Sequence, residues 1–168
     1  YNAYHAALKL WPGDPESHNN LGTILKELGD LQTAIASYTT ALKLKPNDPE
    51  ICCNLGNALK KTGDLEAAMA IYKKAVEIDP ENSNAFYGIG RVQQSMGNLK
   101  EATLSFKRAI SKNPNNTGVL LELSRRIKSD QDTVELLHNL GDVKRIGLNK
   151  KDLTSLEFAL ANCYHKTH

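Results

Sequence analysis

The chain has 168 residues, with 21 Lys and Arg against 19 Asp and Glu and a formal charge of +2, so bulk electrostatics select neither nucleic acid nor an anionic membrane surface. Hydrophobic residues make up 40% of it, but no apolar run approaches the roughly 18 residues that a transmembrane helix needs. Three cysteines, two of them adjacent as Cys52 and Cys53, make no disulfide framework and suit a reducing, cytoplasmic setting.

The nonapeptide LKLWPGDPE at residues 8–16 returns at 42–50 as LKLKPNDPE, and Pro12, Pro46, Pro80 and Pro114 stand 34 residues apart. Gly22, Gly56 and Gly90 keep that interval, as do Gly29, Gly63 and Gly97, and Ala7, Ala41, Ala75 and Ala109. A fixed period of this length predicts a stack of small units that touch only their neighbours.

Residues 1–14 read as the second helix of a truncated unit, with Tyr4, Ala7 and Pro12 in register. A start inside a unit predicts a fragment of a longer chain. Trp11 precedes the turn proline and is expected to cover the edge of a core. Residues 15–48 form the first full unit. Leu21, Ile24, Leu25 and Leu28 fall at helical steps. Asp14 stands at the N-cap position, Pro15 supplies a preset φ, and Glu16 puts negative charge at the positive helix end. Gly29 is expected to end that helix in a left-handed conformation, and Asp30 to cap a second helix that stops before Pro46.

The same grammar recurs in residues 49–82 and 83–116, where Gln93 replaces the large apolar residue of the first helix. Residues 117–150 predict a degenerate helix pair, 117–128 and 131–139, followed by a turn-rich link. Residues 151–168 predict the first helix of a further or capping repeat. Helices this short are marginal alone, so stacking must supply their stability. The prediction is an all-α solenoid of antiparallel helix pairs.

Leu21, Gly22, Leu25, Ala34, Tyr38, Ala41 and Pro46, and again Leu55, Gly56, Leu59, Ala68, Tyr72, Ala75 and Pro80, resemble the pattern of tetratricopeptide repeat proteins. Ile89, Gly90, Ala102, Phe106, Ala109 and Pro114 continue it. The resemblance covers residues 1–116 and implies a right-handed superhelix whose first helices line a concave, peptide-binding surface. Carried over, that groove comprises Asn19, Asn20, Thr23 and Lys26, then Cys53, Asn54, Asn57 and Lys60, then Tyr87, Arg91 and Gln94, with Arg125 extending the row. HNNLGTILKELGD and CCNLGNALKKTGD also resemble repeats of O-linked N-acetylglucosamine transferases, whose inner asparagine ladder grips substrate main chain. That likeness singles out Asn20 and Asn54, with a break at Gly88. An asparagine amide offers both a donor and an acceptor to a peptide unit, although asparagines are also simply tolerated on a polar face. The stretch FALANCYHK resembles a helix that precedes sulfotransferase domains in bacterial repeat proteins, and no activity carries over from it.

The family's chaperone-tail clamp fails here. Asn19, Thr23, Asn54, Asn84 and Gly88 in one frame, and Cys53, Asn57, Gly88, Gly118 and Glu122 in the next, match its lysine, asparagine and arginine pattern at a single place each. Lys26, Lys60, Lys61, Arg91, Arg125 and Lys128 would make the groove mildly positive and favour an acidic peptide, with Glu27 and Glu122 as offsets; a solvated charged face is the plainer account.

No nucleophile motif or phosphate loop occurs, and no cofactor is expected. Cys163 and His165 lie two apart on a helix and point to different sides, which argues against zinc. Cys52 is a core position, while Cys53 is expected to face the groove and to be reactive. Tyr38, Tyr72 and Phe106 are expected to pack between helices rather than stack nucleic-acid bases. The expected function is non-catalytic capture of a protein or peptide segment. The alternative is a recruiting segment of a larger glycosyl- or sulfotransferase, and open solenoid ends would allow self-association.

Overall fold

The computed structural model describes residues 11–125. The expectations for residues 1–10, for 126–168, and hence for Lys128, Cys163 and the FALANCYHK helix, lie outside the described residues. Within them there are seven helices and no strand: α1 (Pro15–Leu28), α2 (Leu31–Leu44), α3 (Pro49–Thr62), α4 (Leu65–Ile78), α5 (Ser83–Ser95), α6 (Leu99–Lys112) and α7 (Thr117–Ser124). None of these is long and apolar enough to cross a membrane.

The starts and stops follow the residues that the period repeats. Asp14 accepts from the Ser17 backbone N–H at 2.9 Å, Asp48 from Glu50 and Ile51 at 2.9 and 3.1 Å, and Asn82 from Ala85 at 2.9 Å. Each occupies a donor that the first helical turn leaves unpaired. At the hairpin turns Gly29, Gly63 and Gly97 have φ of 88°, 89° and 82°. Their left-handed backbone lets the chain reverse within two residues, with the Asp30 N–H bonded back to the Leu25 carbonyl at 2.9 Å.

Each helix packs most extensively on its hairpin partner and next on the helix that follows it. In addition α1 touches α3 and α3 touches α5, whereas α2, α4 and α6 make no comparable contact with one another. First helices crowding together while second helices splay apart is what curves a solenoid, and it puts α1, α3 and α5 on the inner side.

Tyr38, Tyr72 and Phe106 are fully buried, in agreement with their reading as packing residues. Tyr72 is wedged between two glycines, Gly56 on its own first helix and Gly88 on the next. A Cβ on Gly56 would lie 2.8 Å from the ring, and one on Gly88 nearer still. One aromatic ring therefore joins packing within a unit to packing between units, and its burial contributes on the order of 2 kcal/mol. Gln93, in the place of a large apolar residue, accepts from the Ser105 hydroxyl at 2.7 Å and so stays satisfied at half burial.

Two expectations are corrected. Trp11 is 69% exposed and covers no core. Its position before Pro12 directs the ring off the start of α1, where the turn Trp11–Asp14 leaves it facing solvent. Cys53 is buried rather than presented in the groove, as described next.

Candidate functional site

The 34-residue period aligns four inner-face positions of successive first helices. Asn19, Cys53, Tyr87 and Leu121 share one; Asn20, Asn54, Gly88 and Glu122 the next; Thr23, Asn57, Arg91 and Arg125 the third; Lys26, Lys60 and Gln94 the fourth. Helical geometry brings residues three and four apart onto one side, so these positions line up along one side of α1, α3, α5 and α7.

Its first half is a chain of polar contacts. The Asn54 amide donates to the Asn19 carbonyl oxygen at 3.1 Å and ties α3 to α1. The Thr23 hydroxyl and the Tyr38 hydroxyl meet at 3.0 Å, and the Tyr72 hydroxyl donates to Asn57 Oδ1 at 2.9 Å. The aromatic rings that fill the core thus extend their polar ends into the groove and fix the third position from behind. Burial raises the Tyr38 and Tyr72 phenols above their ordinary range, so both remain neutral. Asn20 is exposed and its side chain makes no hydrogen bond among the described residues.

Gly88 interrupts the asparagine position for a steric reason. The Tyr72 ring lies where its Cβ would be, so the third unit has no room for a side chain there. The fourth unit restores a polar group. Glu122, only 4% exposed, accepts from Arg91 at 3.3 Å, from Arg125 at 3.4 Å and from Gln94 at 3.4 Å. Arg91 also donates to the Tyr87 hydroxyl at 3.2 Å and lies 5.9 Å from its ring centre. Phe106 carries no hydroxyl to hold this third position, and Glu122 and Tyr87 hold Arg91 instead.

Cys53 does not belong to the surface. It is 7% exposed and packs in the core with Cys52, Ala68, Tyr72 and Ala85, its thiol 3.8 Å from Asn82 Oδ1. Burial, then the neighbouring Cys52 and acidic Glu50, Asp79 and Asp48, push the thiol up to about 12. It is therefore neither groove-lining nor reactive at neutral pH. Its register position faces the next unit's helix start, and the Asn82 cap closes over it. Tyr87, the next residue in that series, is half-buried and packs its ring 5.8 Å from that of Phe106.

The first-helix side thus carries one set of polar contacts at Asn19, Asn54, Thr23 and Asn57 and another at Tyr87, Arg91, Gln94 and Arg125, with Lys26 and Lys60 in the last turns of α1 and α3. Reading by composition missed the structural work of the Tyr38 and Tyr72 hydroxyls and the centrality of Glu122. The period does carry a signal for Glu122, since it aligns with Asn20 and Asn54. Beside the row, a shallow cavity of about 210 Å³ opens where α1 and α3 begin, lined by Glu16, Asn19, Asn20, Asp48 and Glu50, with Lys45 paired to Asp48 at 2.9 Å. Among the described residues no group of His, Cys, Asp and Glu is arranged to hold a metal.

A family model described as TPR repeat matches residues 22–63 and 56–97, and two described as tetratricopeptide repeat match residues 3–36 and 83–116. No curated protein sequence matches the chain. Among solved structures, MamA is similar with a TM-score of 0.67 and 20% identity, covering 99% of this chain and 85% of that one. The Pseudomonas aeruginosa protein pilF is similar with a TM-score of 0.74 and 22% identity, over 98% of this chain and 75% of that one. The Arabidopsis OM64 TPR domain is similar with a TM-score of 0.64 and 25% identity, over 66% of this chain and 92% of that one. Likenesses at such identities speak to the fold, and a fold alone does not assign a partner.

Proposed function

Because this chain belongs to the tetratricopeptide repeat family, a family of protein-interaction scaffolds, we propose that it captures an extended peptide segment in the groove formed by α1, α3, α5 and α7. The observation that carries the reading is the row of polar side chains, half-buried at Asn19, Thr23 and Asn54 and exposed at Asn57, whose rotamers are already held by Asn19–Asn54, Thr23–Tyr38 and Asn57–Tyr72 hydrogen bonds. Preset side chains lose less entropy when a ligand arrives. Each peptide bond to such a rung is worth roughly 0.5–1.5 kcal/mol, so useful affinity comes from several rungs together. In this reading capture is non-covalent. The same groove would serve as the recruiting arm of a larger glycosyl- or sulfotransferase, a reading favoured only by the register of Asn20 with Asn54.

The test is selection of a random displayed peptide library on the wild-type chain, on Asn20→Ala/Asn54→Ala, and on Lys73→Ala/Arg108→Ala, which alters exposed positions of second helices. Selected peptides should lose at least tenfold in affinity for the asparagine variant, at unchanged helicity, and little for the other. Loss on the second-helix variant alone would move recognition to the outer face and refute the proposal.

A further inference from the structure

We infer that the groove selects an acidic segment, an extended peptide whose Asp or Glu side chains lie against Lys26 and Lys60; this rests on the groove reading above. The two lysines are 34 residues apart, in the last turns of α1 and α3, and both are half-buried. Neither has an ion-pair partner among the described residues, whereas Lys45, Arg91, Lys112 and Arg125 are each held by a carboxylate. The surroundings of the pair are themselves cationic. Burial and then Lys61 hold Lys26 below its ordinary range, with Glu27 opposing; burial, then Arg91 and Lys61, do the same to Lys60. Half-desolvated cations pressed by neighbouring Lys61 and Arg91 favour an incoming carboxylate, because it relieves both penalties at once.

The next unit supplies an internal precedent. Glu122 reaches back from α7 to Arg91 and Gln94, the latter in register with Lys26 and Lys60, and offsets part of the positive charge at that end from within. Lys26 and Lys60 have no such residue. The positions aligned with Glu122 are Asn20, Asn54 and Gly88, all uncharged. Acid is therefore wanted from outside at the first two rungs and not at the third.

Spacing narrows the ligand. Packed helices lie about 8–10 Å apart, and a polyproline II segment returns to the same side every third residue, about 9 Å on. On that spacing the proposed segment carries its acidic residues at i and i+3, one for each lysine. A chain terminus brings only one carboxylate, so side chains are the source. A nucleic-acid strand would neutralise the lysines but would also want exposed aromatic surfaces for its bases, and Tyr38, Tyr72 and Phe106 are buried.

The experiment extends the library selection to Lys26→Gln/Lys60→Gln, with Lys73→Gln/Arg108→Gln as the charge-matched control, and measures the dissociation constants of labelled selected peptides by fluorescence anisotropy. Wild-type binders should be enriched in Asp or Glu pairs three apart. They should weaken roughly tenfold on the lysine variant, and equally when their own acids become Asn or Gln, with the difference shrinking in high salt. Peptides lost on Asn20→Ala/Asn54→Ala yet not acidic, and indifferent to the lysine substitutions, would overturn the acid selection and leave the groove standing. Absence of any groove-dependent peptide would overturn both. Lysine-dependent binding of a single-stranded oligonucleotide in preference to the peptides would reassign the surface to nucleic acid.

Discussion

Substituting Gly88 by alanine tests the wedge that couples one unit to the next. The added Cβ would overlap the Tyr72 ring, which Gly56 already confines on its other side at 2.8 Å from a notional Cβ. The ring cannot slide freely, because its hydroxyl is bonded to Asn57 at 2.9 Å. Overpacking of this kind costs about 1–3 kcal/mol, and displacing the hydroxyl forfeits roughly another 1 kcal/mol. Removing a helical glycine returns about 0.5–1 kcal/mol. A net loss of about 2 kcal/mol corresponds to a melting temperature lower by about 4–8 °C for a chain of this size. Circular dichroism melts and denaturant titration would measure it, with Gly63→Ala beside it, whose cost of about 1 kcal/mol comes from its φ of 89° with no atom near. A double-mutant cycle with Tyr72→Leu should return a coupling of about 1 kcal/mol or more. Gly88→Ala melting at or above the wild-type temperature, or a cycle without coupling, would refute the wedge.

Two further outcomes follow from the buried and capping groups. Burial raises the Asp48 carboxyl, but the hydrogen bond from Lys45 and the backbone N–H groups of Ile51 and Glu50 outweigh it and hold the group below its ordinary value of 3.8. Its contribution is therefore complete above that value and disappears as pH falls through the lower native one. Asp48→Ala should cost about 1 kcal/mol at pH 7 and progressively less in acid, a convergence that melts from pH 7 down to 2 would show or deny. The Cys53 thiol, pushed up to about 12, should resist iodoacetamide at pH 8 in the folded chain and alkylate in urea, as read by peptide mass spectrometry; rapid native labelling would contradict its burial. Stability from this thiol is present below the unfolded value near 9 and falls as pH rises from there towards 12.

Most of the fold was legible because the information is local and repeated. Pro15 and Pro49, the Asp14 and Asp48 caps and the left-handed Gly29 and Gly63 act within a few residues of themselves, and the period states each of them more than once. The first-helix surface could be read from the same register, including the polar rungs at Asn19, Thr23, Asn54 and Asn57. What register leaves open is which side of a narrow polar row a neighbouring helix will cover. Cys53 shares its position with Asn19 and Tyr87, yet it is closed over by Asn82 and the core around Tyr72. Trp11 was misread because a large apolar residue beside a turn has no local signal for whether anything packs on it.

The sequence alone determined the unit, its helix boundaries and the order in which units follow one another, since capping, turn chemistry and apolar spacing are short-range. The tertiary structure decided how the units meet. It set Tyr72 between Gly56 and Gly88, so that the asparagine position had to break there, and it brought Glu122 to Arg91 and Gln94 across 28–31 residues of chain. It thereby left Lys26 and Lys60 as the half-buried cations of the first helices without a carboxylate among the described residues. The physical reason is that ion pairing and steric exclusion depend on distances between helices, which a 34-residue period orders but does not measure.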